Sequence, residues 1–415
     1  MLCRSKVITV FRFALSGLAT LFISCNSGND QEVTGIHYKT LKPVSVSYRN
    51  GIIKDVRELR TLPAGSDSVY ISPGLIDNQV NGFAGVSFTF GGSNLTPGGL
   101  LKATRELWKA GVTTYLPTLT TNDTAVLLHN FRILAASVND SSLQGSIPGY
   151  HLEGPFISPE NGFRGAHPLK HVIKPDWGIF EKLQKSAEGK ILQVTVAPET
   201  EGALEFIAKA SSAGIVVGLG HHNGSSEQVN EAVEKGALIA THLGNGCANM
   251  INRHLNPLWP QLANGKLMVS LIADGFHLNK DELKVFYKVK GSKMVILTSD
   301  VTAYASLEPG IFINQEGDTL ELTRDGMVRV PSQGVLAGSA SPLSRGIGFF
   351  TEATGAPLHE AIDMATVNPA KLYRLEDRGV LEKGKRADII AFKIQKGNMT
   401  ILKTVVKGIE VYSGN

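Results

Sequence analysis

The sequence predicts an α/β chain: a TIM (β/α)8 barrel carrying a small β-sandwich domain built from both chain ends. Three observations carry this. Eight short apolar, β-branched runs recur between Gly74 and Thr298, as buried parallel strands do. Helix-like stretches separate most of them, giving the βα rhythm of a parallel sheet with crossovers. Both termini instead show short alternating strands punctuated by turns, and each end alone is too small to enclose a core.

In chain order, Val44–Tyr48 and Ile52–Val56 flank Asn50–Gly51, a strong hairpin signal. The barrel strands are expected at Gly74–Val80, Val112–Leu116, Ile147–Leu152, Leu192–Ala197, Ile215–Gly220, Ala237–Thr241, Met268–Ala273 and Met294–Thr298. Helices are expected at Thr96–Ala110, Thr124–Val138, Asp176–Ser186, Glu201–Ala213, Ser226–Lys235 and Asp281–Lys288. Ala303–Val335 reads as a long irregular segment with one hairpin that lids the rim, and the amphipathic stretches Leu343–Thr354 and Leu358–Thr366 close the barrel. Asp388–Phe392, Thr400–Leu402, Thr404–Val406 and Ile409–Tyr412 then pair with the N-terminal strands. This divides the chain into a leader (1–25), a first sandwich part (26–72), the barrel (73–370) and a second sandwich part (371–415).

Bulk properties exclude several classes. At 415 residues, 42% hydrophobic and 19% charged, the chain is long and apolar enough for a large ordered core. A net charge of +4, with one short basic tract at Lys383–Arg386, gives no nucleic-acid surface. Three cysteines make no disulfide framework. Arg4, Lys6 and Arg12 precede an uncharged run from Phe13 to Ile23, too short to span a bilayer, so the leader reads as a signal peptide. Its Phe22–Ile23–Ser24–Cys25 ending resembles the lipobox of bacterial lipoproteins, which implies a lipid anchor on Cys25 as the one membrane contact and an exported, periplasmic or membrane-anchored location. A misassigned start would make the protein cytoplasmic.

Parallel barrel strands all point their C-terminal ends to one rim, where barrel active sites lie. The strand ends supply Gln79 and Asn81, Thr118, Glu153, Glu199, His221, His242, Asp274 with His277, and Asp300. Two histidines and a carboxylate are a common ligand set for catalytic zinc, and Glu153, His221 and His242 come from strands three, five and six. An uncoordinated Asp300 at the same rim suits proton transfer. A lone histidine is ordinarily a hydrogen-bonded structural residue, but polar residues at consecutive strand ends outweigh that reading. His222 is expected to be a bystander, because neighbours at a strand end point to different sides; Cys247, a turn past His242, could add a thiolate ligand, but a buried, inert thiol is the expectation.

From about Ser72 onward the chain resembles N-acetylglucosamine-6-phosphate deacetylases of the amidohydrolase superfamily. The resemblance rests on Pro73–Gly82, His151–Leu152–Glu153–Gly154–Pro155–Phe156, Gly220–His221, Thr241–His242–Leu243–Gly244–Asn245, Ile272–Ala273–Asp274–Gly275–Phe276–His277, Thr298–Ser299–Asp300 and Leu336–Ala337–Gly338–Ser339. It implies a metal-dependent deacetylase with Glu153, His221 and His242 on one divalent ion, zinc favoured, and Asp300 as acid/base. His167 would polarise the acetyl carbonyl, a role open to a loop histidine that donates to an oxyanion. Ala166, Asn245, Gly246, Asp274, Leu336, Ala337 and Gly338 would line the sugar, with Arg253 and His277 on its phosphate. Relatives are usually homodimers. Many amidohydrolases carry His-x-His on strand one for a second metal. Here that place reads Gln79–Val80–Asn81, and amides bind zinc poorly, so a single metal is expected. Two rivals stay open: an exported amidohydrolase of an unphosphorylated N-acetyl amino sugar or other N-acyl compound, and an inactive surface sugar-binding protein.

Overall fold

The computed structural model describes residues 30–63, 68–90, 92–314 and 317–414. The leader and Cys25 lie outside the described residues. Eight parallel strands form the barrel: Leu75–Val80, Val112–Thr120, Tyr150–Glu153, Ile191–Val196, Val216–Leu219, Ala237–Ala240, Met268–Ile272 and Val295–Thr298. Every one overlaps the run that predicted it. Their mostly buried side chains explain why the sequence shows continuous apolar runs there rather than alternation.

The first and eighth strands close the barrel largely through side chains. Asp77 Oδ1 accepts from Thr298 Oγ1 at 3.0 Å and from the Ser299 amide at 3.1 Å. Higher up, Val80 bridges Val301 and the Asn81 amide donates to the Val301 carbonyl at 2.7 Å. A polar network also lies inside the barrel. Asn78 Nδ2 donates to Tyr373 Oη at 2.9 Å, Tyr373 bonds Gln193, and Gln193 Nε2 lies 3.0 Å from His151 Nε2.

Outer helices sit where expected at Pro97–Lys109, Thr124–Val138, Trp177–Ser186, Ala203–Ser212, Ser226–Glu234 and Lys280–Lys290. Local chemistry fixes their ends: Ser225 and Asn279 form capping boxes with Gln228 and Glu282. Two further helices are not expected from the sequence, Leu258–Ala263 with Pro260 inside it, and Val367–Leu372. The second crosses the expected boundary at residue 370. Asn368 Nδ2 bonds the Ser292 and Val295 carbonyls, and Tyr373 enters the barrel, so this segment belongs to the barrel.

Both chain ends share one seven-stranded sheet, ordered Ile409–Ser413, Asn398–Val406, Ile389–Gln395, Tyr70–Pro73, Gln31–His37, Pro43–Arg49 and Ile52–Glu58. It curls until Ile52 bridges Arg386, enclosing a sandwich-like core of Val46, Ile53, Ile71, Ile389 and Val405. The segment after strand eight is more ordered than expected. It forms a four-stranded antiparallel sheet, Gly310–Ile313, Thr319–Leu322, Met327–Val330 and Val335–Ser339, with its own apolar core around Leu320, Val328 and Val330.

Candidate active site

Three of the strand-end residues break the backbone rules. His221, His242 and Asp300 have φ values of 51°, 35° and 50°. Non-glycine residues adopt this left-handed conformation rarely, at a cost of about 1–3 kcal/mol each. Each lies two residues past the end of strand five, six or eight, and the three side chains come together at the barrel mouth. The surrounding fold supports that strain at the one rim where these side chains meet.

Glu153 Oε1 stands 3.2 Å from His221 Nε2 and 2.6 Å from His242 Nε2. The donor atoms of the three residues all lie within 4.8 Å of one another, and all three side chains are buried. His221 Nδ1 donates to the Phe163 carbonyl at 3.1 Å, which leaves Nε2 bare for coordination. Two turns hold this ring from either side: Gly165 and Gly246, with φ values of 61° and 58°. A Cβ on Gly246 would stand 2.7 Å from His221 Nδ1. One carboxylate oxygen and two imidazole nitrogens, converging and shielded from water, fit a divalent cation. Burial alone would raise the Glu153 carboxyl, but the two imidazoles outweigh it and hold the group well below the usual range. The burial of His242 is outweighed in turn by the Glu153 charge, which raises that imidazole.

Asp300 faces the same space. Burial, and then the charge on Glu153, push its carboxyl up to about 7. Asn81 Nδ2 donates to its Oδ1 at 2.7 Å. His167, on the loop after strand three, packs edge-on against His221 with ring centres 4.3 Å apart. Burial, and then His221, push it down to about 3, so the ring is a neutral imidazole. Its Nδ1 lies 2.8 Å from Thr121 Oγ1.

These residues open onto a cavity of about 770 Å³ roofed by the four-stranded sheet. Glu153, Ala166, His167, His221, His242, Asn245, Gly246, His277, Asp300, Leu336, Ala337 and Gly338 all line it, as does Asn81. The Leu336–Gly338 segment reaches the wall because the Ser339 amide bonds the Asp300 carbonyl at 3.0 Å.

Two expected substrate residues are placed elsewhere. Asp274 does not line the cavity: its Oδ1 caps the amides of Phe276 and His277, and its Oδ2 lies 2.8 Å from His277 Nδ1. It holds His277 in place. Arg253 also stands outside the cavity, exposed on a loop whose carbonyl at that residue is tied to Trp259 Nε1 at 2.9 Å. His222 turns away from the cavity, its Nδ1 accepting from the Gly224 amide. Cys247 lines the cavity, and burial pushes its thiol up to about 11, which keeps it protonated. Asn81 and Thr121 are functional neighbours that no sequence motif marks. Each lies one residue past a barrel strand, and that position is the only sequence signal they give.

Residues 70–411 match the amidohydrolase family. The N-acetylglucosamine-6-phosphate deacetylase of Danio rerio is 31% identical over 355 residues, covering 82% of this chain and 84% of the relative. That of Bacillus subtilis (strain 168) is 30% identical over 353 residues, covering 84% and 86%. Among solved structures, a variant of the Mycobacterium smegmatis N-acetyl-D-glucosamine-6-phosphate deacetylase, in complex with N-acetyl-D-glucosamine-6-phosphate, superimposes with a TM-score of 0.81 at 25% identity. It covers 93% of this chain and 100% of that one. With the metal-ligand trio on the rim of the same barrel, the chain belongs to the amidohydrolase family and, within it, to the N-acetylglucosamine-6-phosphate deacetylases.

Proposed function

We propose that the protein is a metal-dependent deacetylase that hydrolyses N-acetylglucosamine 6-phosphate to glucosamine 6-phosphate and acetate. The observation that carries this is the convergence of Glu153, His221 and His242 on one point, with Asp300 beside them and outside the ligand trio. A divalent ion on that trio supplies Lewis acidity, polarising the amide carbonyl and acidifying water near neutral pH. Zinc suits two imidazoles and a carboxylate, and the amides at Gln79 and Asn81 favour a single ion.

The remaining work falls to the chain. Asp300 takes a proton from the attacking water and returns it to the amine nitrogen as the C–N bond breaks. A carboxyl near pH 7 can do both in one turnover. His167, neutral and beside the trio, donates to the oxygen of the acetyl carbonyl as negative charge develops there. Asn245, Gly246 and the Leu336–Gly338 segment hold the sugar, and His277, steadied by Asp274, faces the phosphate end.

Acetate release from N-acetylglucosamine, with and without the 6-phosphate, tests the substrate. Faster turnover of the phosphorylated sugar, lost in H277A, supports it, and equal rates on both sugars contradict it. One observation favours a second reading, deacylation of an unphosphorylated N-acetyl compound: among the described residues, no lysine or arginine lines the cavity. The same pair of assays separates the two.

We propose a homodimer as well. Met250, Leu255 and Trp259 are exposed around Arg253, an apolar surface that a second copy can cover. A monomer by light scattering would contradict this. We further propose export and lipidation at Cys25, supported by the leader's charge pattern and lipobox-like ending. Incorporation of labelled fatty acid, lost in C25A, tests it.

A further inference from the structure

We propose that Thr121 is a positioning residue that fixes the tautomer of His167, and that Gly154 keeps the space its hydroxyl needs. Thr121 follows the second barrel strand and is fully buried, with Oγ1 2.8 Å from His167 Nδ1. Among the described residues, Oγ1 has no second hydrogen-bond partner, and His167 Nε2 has none at all.

A neutral imidazole carries one N–H, so two arrangements are available. In the first, Nδ1–H donates to Oγ1. The buried hydroxyl proton then has no acceptor, and Nε2 presents a lone pair to the cavity. In the second, the hydroxyl donates to Nδ1, and Nε2–H faces the cavity. The second satisfies every buried donor, which matters because an unpaired buried donor costs about 1–3 kcal/mol. It is also the form that can donate to a developing oxyanion, whereas a lone pair there would repel one. The catalytic part of this proposal rests on the reading of His167 as oxyanion donor.

Gly154 ties the arrangement to the metal-ligand trio. It directly follows Glu153, has φ +87°, and a Cβ there would stand 2.1 Å from Thr121 Oγ1. No side chain fits without expelling the hydroxyl. The backbone turn that presents the carboxylate ligand therefore also leaves room for the group that orients the neighbouring imidazole.

The test uses the full chain with its metal. T121V, T121S, H167Q and T121V/H167Q would be compared by kcat, KM, metal content and the ¹⁵N shifts of the His167 ring. T121V should lower kcat on the order of 10–100-fold, as loss of a partner to a functional imidazole does, with KM and metal content held. T121S should recover most of that loss. The double variant should be no slower than H167Q alone, because both changes remove one function. The wild-type shifts should show a bare Nδ1 and a protonated Nε2, with a tautomer mixture in T121V. An unchanged tautomer and full kcat in T121V, alongside an impaired H167Q, overturns this proposal alone. Full activity in H167Q overturns the oxyanion reading and the catalytic part with it.

Discussion

Asn81 Nδ2 donates a 2.7 Å hydrogen bond to Asp300 Oδ1, joining the end of the first barrel strand to the end of the eighth. In many amidohydrolases a metal-binding histidine ends that first strand. Here the position carries an amide, which cannot replace imidazole but can hold a carboxylate. The bond favours the charged form of Asp300 and so opposes the effect of burial.

Removing that bond should therefore act on proton transfer and leave the metal in place. N81A is expected to lower kcat on the order of 10–100-fold with metal content unchanged. Without the donor the Asp300 carboxyl rises further, so the acid limb of the pH–rate profile should move to higher pH. A profile that keeps its position would contradict this.

The glycine turn beside His221 yields a second expectation. In G246A the new methyl would meet the ring at 2.7 Å from Nδ1 and push it off the Phe163 carbonyl. Loss of that second contact should weaken metal affinity about 10–100-fold, read by chelator competition. A variant that binds the ion as tightly as wild type would show that the ring has room to spare.

Stability should depend on pH through Asp77. Burial raises its carboxyl from 3.8 to about 6, against the hydrogen bonds from Ser299 and Thr298. A group whose folded pKa is raised contributes stability that is fully present below 3.8 and is lost as pH rises through 6. At about 1.4 kcal/mol per pH unit, the loss is about 3 kcal/mol. D77N keeps the accepting oxygen but cannot titrate. Its stability relative to wild type should therefore climb by about that amount between pH 4 and pH 7 in urea melts. A constant difference across that range would show that Asp77 titrates normally.

Much of this was legible in the sequence because parallel strands translate order into position. Eight apolar runs placed Glu153, His221, His242 and Asp300 on one rim, and all four meet there. What stayed hidden depends on tertiary context. Nothing in the sequence marks His221, His242 or Asp300 for a left-handed backbone, which the packing around the barrel mouth imposes. Asn81 shows in the sequence only as a missing ligand, since its partner lies 219 residues away. Asp274 lies just past strand seven, where cavity residues are expected, yet its carboxylate is engaged by the turn that follows. Arg253 has a residue type suited to a phosphate, and its loop holds it exposed outside the cavity of one chain. The roof over the cavity pairs short strands across turns, a weaker signal than the barrel runs, and so looked irregular.

The decisive measurement of the division between metal ligands and proton carrier is metal content and acetate release together, on wild type and D300N, with N-acetylglucosamine 6-phosphate as substrate. One divalent ion per chain is expected in both proteins, with turnover in wild type alone. Loss of the ion from D300N would move Asp300 into the ligand set, and undiminished turnover would remove it from the chemistry; either result contradicts the mechanism.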